Sequence, residues 1–207
     1  MAGMHVQSIA KHRFADLVEI MITSFYSNEE WHTLMIETNR LMLRPLLTEE
    51  LELIAADTQQ LTRKTGLTVE PDLAEEPVPQ AIESMLVGLR AANEADRPWQ
   101  TFWLMQLKPD GHGVGMLGFK GVPNEKGETE VGYGTTSAYR GQGLMSEALM
   151  GLLGWAFDSG RCQAVTAETL PENGASQRVL IKAGFVRVPE HTGECWLWRL
   201  ARETWQA

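Results

Sequence analysis

The most constraining feature of this chain is the junction Tyr133-Gly134-Thr135-Thr136-Ser137-Ala138-Tyr139-Arg140-Gly141-Gln142-Gly143-Leu144-Met145-Ser146. A strand-like run passes through a short glycine-bearing turn into a long amphipathic stretch. Leu144, Met145, Ala148, Leu149, Leu152, Leu153 and Ala156 recur at helical spacing, which predicts a helix over residues 141–159 that stops at Gly160. The first turn of any helix presents free backbone N–H groups and the positive end of its dipole. Gly141 and Gly143 remove side chains there, so a diphosphate can come close to the amides. Arg140 adds a fixed charge with a fork geometry suited to phosphate. An ordinary strand-to-helix turn that uses glycine for its dihedrals fits the same letters, and this stretch alone does not choose between the two.

The flanking sequence alternates strand and helix signals. Residues 36–45 read as a strand that ends at Pro45. Thr48 is a good helix N-cap, followed by Glu49 and Glu50 and the apolar set Leu51, Leu53 and Ile54. Residues 60–77 carry Gly66, Pro71 and Pro77 and read as a loop. Residues 79–93 read as a helix with Ile82, Met85, Leu86 and Leu89 on one face. Three strands follow at 101–107, 114–122 and 129–136, then the long helix. A strand at 164–169, a helix at 171–183 stopped by Gly184, and strands at 185–188 and 194–200 complete the chain.

Gly113-Val114-Gly115-Met116-Leu117-Gly118 matches the dinucleotide pattern G-x-G-x-x-G. That pattern needs a helix opening at its glycines. Here the glycines sit inside an apolar strand-like run, and Pro123 comes too soon for a helix, so this is a glycine-rich hairpin strand. No Gly-Lys-Ser/Thr follows a glycine loop, which excludes a P-loop.

Composition removes other classes. A net charge of -9 leaves no basic footprint for nucleic acid. It is compatible with a cationic substrate such as an amine, or simply with solubility. The two cysteines, Cys162 and Cys195, and the five histidines are scattered, so no metal site is expected. No apolar run approaches the ~18 residues of a membrane span, and no secretory signal is apparent, so a reduced cytoplasmic chain is expected. Residues 1–34 form a separate N-terminal extension. Phe14, Leu17, Val18, Met21 and Ile22 at helical spacing read as an amphipathic helix packed on the domain or on a second copy in a homodimer. An extension from an early start codon, with Met35 opening the domain at 35–207, fits equally.

Arg140-Gly141-Gln142-Gly143 opening a helix resembles the acyl-CoA signature of the GNAT superfamily of N-acetyltransferases, (Q/R)-x-x-G-x-(G/A), with Met145 in place of the final Gly or Ala. The run Asn173-Gly174-Ala175-Ser176-Gln177-Arg178-Val179-Leu180-Ile181-Lys182-Ala183-Gly184-Phe185 is similar to that family's N-x-x-(A/S)-x-x-(V/L)-x-x-K-x-G-F helix. The opening Ile36-Glu37-Thr38-Asn39-Arg40-Leu41-Met42-Leu43-Arg44-Pro45 resembles the first strand of the RimJ/RimL-type branch, which acetylates protein N-termini and small amines. The resemblance covers residues 35–200. It implies an α/β (α+β) fold: a mixed, mostly antiparallel sheet of about seven strands flanked by helices, with a bulged and splayed central strand pair that holds the cofactor.

The resemblance also implies a site. Gly134 and Thr135 meet the pantetheine arm through backbone. Amides of Gly141, Gln142, Gly143, Leu144, Met145 and Ser146, with Arg140, hold the pyrophosphate. Asn173 meets the pantetheine or adenosine end. Arg178 or Lys182 could reach the 3′-phosphate, although a solvated basic helix face explains them as well. Glu130 occupies the position of the general base, or else is a solvated strand-end glutamate, and Glu168 is a weaker candidate. Leu180 stands where many members carry a tyrosine that protonates the departing thiolate, which leaves the acid unassigned; Ser176 could assist. Trp99, Phe102 and Trp103 could wall an acceptor pocket, with core packing expected for at least two of them. The implied activity moves an acetyl group from acetyl-CoA to a primary amine, a protein N-terminus or a small amine, by direct attack in a ternary complex, with no metal. Another acyl group, or a CoA-binding regulatory or structural protein without turnover, is the alternative.

Overall fold

The computed structural model describes residues 31–75 and 77–205. The helix expected on Phe14 to Ile22 lies outside the described residues. Residues 36–45 form a hairpin rather than one strand, β1 (Ile36–Glu37) and β2 (Leu41–Pro45). Thr38 makes the turn. Its amide donates to the Leu41 carbonyl at 2.9 Å, and its hydroxyl accepts from the Leu41 amide at 3.1 Å. A short hydroxyl side chain that bonds nearby backbone is an alternative to continuing the strand.

Helix α1 (Thr48–Ala56) is capped by Leu47, not by Thr48, which is its first helical residue. Leu47 has no side-chain acceptor. The Glu50 carboxylate reaches back instead, accepting from the Leu47 amide and from Arg44, each at 2.9 Å. Part of the expected loop at 60–77 is a second helix, α2 (Thr58–Thr65). Asp57 caps it by accepting from the Gln59 amide at 2.8 Å, and Gly66 ends it with φ 77°. Leu61 is its sole buried residue, so there was no apolar stripe to read. A 3-10 turn at Pro71–Ala74 leads into α3 (Val78–Ala91), which buries Ile82, Leu86 and Leu89.

Strands β3 (Phe102–Leu107), β4 (Gly113–Phe119) and β5 (Glu128–Thr135) form a meander. Then come α4 (Leu144–Asp158), β6 (Ala164–Thr169), α5 (Gly174–Lys182), β7 (Val186–Thr192) and β8 (Cys195–Ala201). The eight strands are ordered β1-β2-β3-β4-β5-β6-β8-β7. Every neighbouring pair is antiparallel except β5–β6. A parallel pair needs a crossover, and α4 supplies it. The glycine-rich β4 is an interior strand, buried throughout, as its sequence context predicts. Its glycines permit close approach: a Cβ on Gly118 would lie 2.7 Å from the Thr101 carbonyl oxygen.

The sheet separates two apolar clusters. On one face α4 packs Leu144, Met145, Leu149, Leu152 and Leu153 against the sheet residues Leu117, Phe119 and Val131. On the other, Leu51, Ile54, Leu61, Ile82, Leu86 and Leu89 pack on Leu104 and Met116. Trp99 and Trp103 belong to the first cluster and stack around Trp155, with ring centroids 4.6 and 5.3 Å away. Those two tryptophans are core, as expected of two of the three aromatics near residue 100. Both described cysteines are free thiols.

Candidate active site

Strands β5 and β6 part company midway. Their ladder pairs Glu128, Thr129 and Glu130 with Ala164, Val165 and Thr166, and ends there. Beyond it β5 continues on β4 as far as Thr135, and β6 continues on β8 as far as Thr169. The result is a V-shaped gap, the splay that the motifs predict. The register of β5 on β4 runs without a shift through this region.

Strand alternation decides what faces the gap. The Thr136 amide donates to Val114 and the Lys120 amide to Glu130, so even-numbered β5 residues direct their backbone groups at β4. Gly134 therefore exchanges hydrogen bonds with Met116. The backbone of Tyr133 and the amide of Thr135 face the opening, past the last β6 pair. The Thr135 carbonyl accepts from Arg140 Nε at 2.9 Å. Sequence reasoning selected Gly134 and Thr135; pleating makes Tyr133 the residue whose amide and carbonyl are directed into the gap.

The glycine turn stands at the open end of this V. Gly141 and Gly143 have φ 75° and 76°, in the left-handed region where a Cβ is strained. Gly143 is the N-cap of α4, so the amides of Leu144, Met145 and Ser146 form its free first turn. The side chains of Leu144, Met145 and Ser146 are buried. The Met145 side chain thus packs into the core, and its departure from the family pattern leaves the amide cradle unobstructed. The Gln142 side chain folds back to donate to the Ala138 carbonyl at 3.1 Å. Asn173 is exposed and caps α5, accepting from the Ser176 amide at 3.0 Å. Arg178 and Lys182 are exposed on the same helix.

The cradle is braced by a residue that the sequence did not single out for this role. Arg40, in the β1–β2 turn, donates from Nε to Glu147 at 2.7 Å and from Nη1 to the Gln142 carbonyl at 3.0 Å. Its Nη2 lies 3.7 Å from where a Cβ on Gly143 would sit. Glu147 also accepts from the Arg40 amide and the Thr38 hydroxyl, each at 2.6 Å. Burial opposes ionisation of Glu147, but the bonds from Thr38 and Arg40 outweigh it and hold the carboxyl below its ordinary value. The only sequence signal was an arginine in the motif that opens the domain.

Leu180 is fully buried and packs in the core, so its position offers no proton donor. A different tyrosine lies by the gap. Tyr133 Oη is 2.8 Å from Ser176 Oγ, and burial pushes its phenol up to about 12 against a lowering by Ser176. Glu130 shares a β5 face with Gly132 and Gly134 and forms an ion pair with Lys120. Glu168 lies on β6, in register with Leu197.

A cavity of about 700 Å³ opens on the sheet face opposite α4. It runs from Arg140 and Thr136 to Lys120, with Phe102 on its lining. Asp72 stands at the Arg140 end and accepts from the Ser137 amide at 2.6 Å. That bond lowers its carboxyl, burial opposes it, and the nearby Arg140 charge helps.

A forked central strand pair with glycine-lined amides at its open end is the geometry of an acyl-CoA site. The sequence profile described as "Acetyltransferase (GNAT) domain" matches residues 40–186. The chain belongs to the GNAT acetyltransferases. The relatives of this GNAT protein include the "Uncharacterized N-acetyltransferase YjdG" of Bacillus subtilis (strain 168), 28% identical over 152 residues, which cover 73% of this chain and 89% of that one. The "Uncharacterized N-acetyltransferase p20" of Bacillus licheniformis is 25% identical over 150 residues, covering 72% and 80%. Among solved structures, Mycobacterium smegmatis RimJ in complex with CoA-disulfide superposes with a TM-score of 0.57 at 21% identity, covering 82% of this chain and 88% of that one. The ribosomal-protein-S5-alanine acetyltransferase of Vibrio fischeri gives a TM-score of 0.57 at 18% identity, covering 84% and 100%. At those identities the structures speak for the fold alone. Membership in the family makes the GNAT chain an acyl-CoA-dependent acetyltransferase, and acetyl-CoA is the family's donor. Among the described residues no cluster of His, Cys, Asp or Glu could hold a metal ion. None of the described helices is long and apolar enough to cross a membrane.

Proposed function

We propose that this GNAT protein transfers the acetyl group of acetyl-CoA to a primary amine by direct attack within a ternary complex. The observation that carries this reading is the fork itself: strand backbone facing the gap leads directly to the free amides of α4. The α4 amides and Arg140 bind the pyrophosphate, and Asn173 borders its far end. The pantetheine arm lies along Tyr133 and Thr135. A neutral amine attacks the thioester carbonyl, and the backbone amides at the gap stabilise the oxyanion. Glu130 takes the proton of the amine through water, once Lys120 releases it. The carbon–sulfur bond breaks, and the thiolate leaves with a hydrogen bond from Ser176. It takes its proton from solvent, to which Glu130 returns the one it accepted. A thiol of pKa ~8.5 is a fair leaving group without a dedicated acid. A phenol held near 12 stays protonated at neutral pH and can keep donating to Ser176.

The buried Leu180 and the ion-paired Glu130 favour the second reading, a CoA-binding protein without turnover. Thiol release from acetyl-CoA against a panel of primary amines and peptide N-termini separates the two. Glu130→Gln is expected to lower kcat by 10²- to 10⁴-fold, in the range of a lost general base. Tyr133→Phe is expected to lower kcat about tenfold, with acetyl-CoA affinity unchanged. Tight CoA binding with no turnover for any amine supports the second reading, and absence of CoA binding overturns both.

A further inference from the structure

The cavity opposite α4 has a construction of its own. Its floor is the paired stretch of β4 and β5 in which Met116 faces Gly134 and Gly118 faces Gly132. A Cβ built on Gly132 or Gly134 meets nothing within 4 Å, so the floor is open where side chains would otherwise stand. Neither glycine has a positive φ, and backbone conformation does not require them. They keep space clear over the strand whose other edge faces the gap.

The walls are largely apolar. Val78, Ala81 and Met85 of α3 stand over the floor, with Phe102 and Met116 below them. The polar groups sit at the ends. Asp72 and Glu75 mark one end, while Ser84, Gln100 and Lys120 mark the other. Arg140 is shared with the diphosphate cradle, and Lys120 is neutralised by Glu130. With a donor's phosphates on Arg140 and Glu130 still paired to Lys120, the state an arriving amine meets, the uncompensated charges of the cavity are the two carboxylates. A protonated amine is drawn to such an end, and an apolar body is favoured between such walls.

The floor also argues against an extended peptide. The β4 groups beneath the cavity are bonded to β3 and β5, and the free β5 edge at Tyr133 and Thr135 faces the gap, where the pantetheine arm takes it. With the donor bound, no strand edge is left to pair with peptide backbone. The volume of about 700 Å³ is that of a small-molecule site.

We propose that this cavity is the acceptor subsite, and that its occupant is a primary amine carried on a compact apolar body, with the nitrogen reaching the gap over Gly132. The proposal rests on the acetyltransferase reading above. The apolar walls act as the specificity element, and the acidic end attracts the ammonium form before it loses its proton.

The test compares the wild-type enzyme with Gly132→Val and Met85→Asp. Acceptors are a straight-chain alkylamine series from propylamine to octylamine, phenethylamine, putrescine, and short peptides with free N-termini. In the wild type kcat/KM should rise about fourfold per added methylene until the cavity is full, the factor expected for burying a CH₂ group. Gly132→Val fills open space without backbone strain. It should lower kcat/KM for the longer alkylamines at least tenfold, while the dissociation constant for acetyl-CoA and the melting temperature stay at wild-type values. Met85→Asp should flatten the chain-length dependence. Weakened acetyl-CoA binding in Gly132→Val would reassign the cavity to the donor and overturn the proposal. A peptide or putrescine used better than every alkylamine overturns the substrate class. Absence of turnover with every acceptor, despite CoA binding, instead overturns the acetyltransferase reading itself.

Discussion

Arg40 ties three pieces of backbone together from a position 107 residues away from Glu147. It is half-exposed, so its ion pair alone would be a small contribution. Its further hold on the Gln142 carbonyl makes it a positioning residue for the cradle. Arg40→Ala is expected to weaken acetyl-CoA binding about tenfold, measured by calorimetry, with kcat near wild type at saturating donor. Arg40→Lys should recover part of that loss, because a lysine keeps the charge and loses the fork. An unchanged dissociation constant in Arg40→Ala would remove Arg40 from the donor site. At this scale the sequence was uneven. The cradle glycines were readable because glycine before an amphipathic run has a local meaning. The Arg40–Glu147 bond was not, since nothing local joins residues so distant. The Tyr133–Ser176 contact was hidden for the same reason: it spans two elements, and its tyrosine occupies a strand rather than the helical position where one was sought.

Among the elements, the N-terminus of α4 carries the most. Gly143 is its cap at φ 76°, so Gly143→Ala forces a side chain into the left-handed region. The strain costs about 1–2 kcal/mol. A melting temperature lower by roughly 2–8 °C is expected from calorimetric scans of a chain this size. Weaker acetyl-CoA binding should accompany it if the amides form the cradle; a destabilised variant with full affinity would count against that role. The strong elements were legible because each combines a periodic stripe with a stop signal, as α4 does with Gly160 and α5 with Gly184. The weak ones were not. α2 reads Thr-Gln-Gln-Leu-Thr-Arg-Lys-Thr and owes its place to the Asp57 cap and to Leu61 alone. The first strand folds into a hairpin because the Thr38 side chain satisfies its own turn, a choice made by one hydroxyl that no alternation pattern records.

For the whole molecule, the order of elements carried the fold, and the extra strand came from dividing the first one. Of the three aromatics that could wall an acceptor pocket, Phe102 alone lines the cavity; its other walls come from α3, β4 and β5 together, a juxtaposition that no local pattern records. The two thiols report on the same packing. Cys162 is fully buried, and burial pushes it up to about 11, whereas Cys195 is partly exposed. Native protein is therefore expected to be alkylated at Cys195, with Cys162 reacting only on unfolding, as peptide mass analysis would reveal. Equal labelling of both in native buffer would contradict the packing. The raised Cys162 value also fixes a sign. An unfolded thiol titrates near 9.0 and the folded one near 11, so the unfolded state loses its proton first. This group's contribution to stability is fully present below about pH 8 and declines as pH rises from 9 to 11. A Cys162→Ala variant should lose that part of the alkaline slope.

The forked pair β5–β6 has a consequence for exchange with solvent. Hydrogen-bonded strand amides are normally among the slowest protons in a domain to be replaced by deuterium. The amides of Tyr133 and Thr135 belong to a central strand, yet they face the gap past the final rung at Glu130–Thr166. They should label early in the free protein, beside neighbours such as Gly132 and Gly134 that label late. Saturating CoA should slow both, since a ligand that closes the gap supplies the missing partners. The interior of this sheet would thus hold two amides whose deuterium uptake reads out donor occupancy directly.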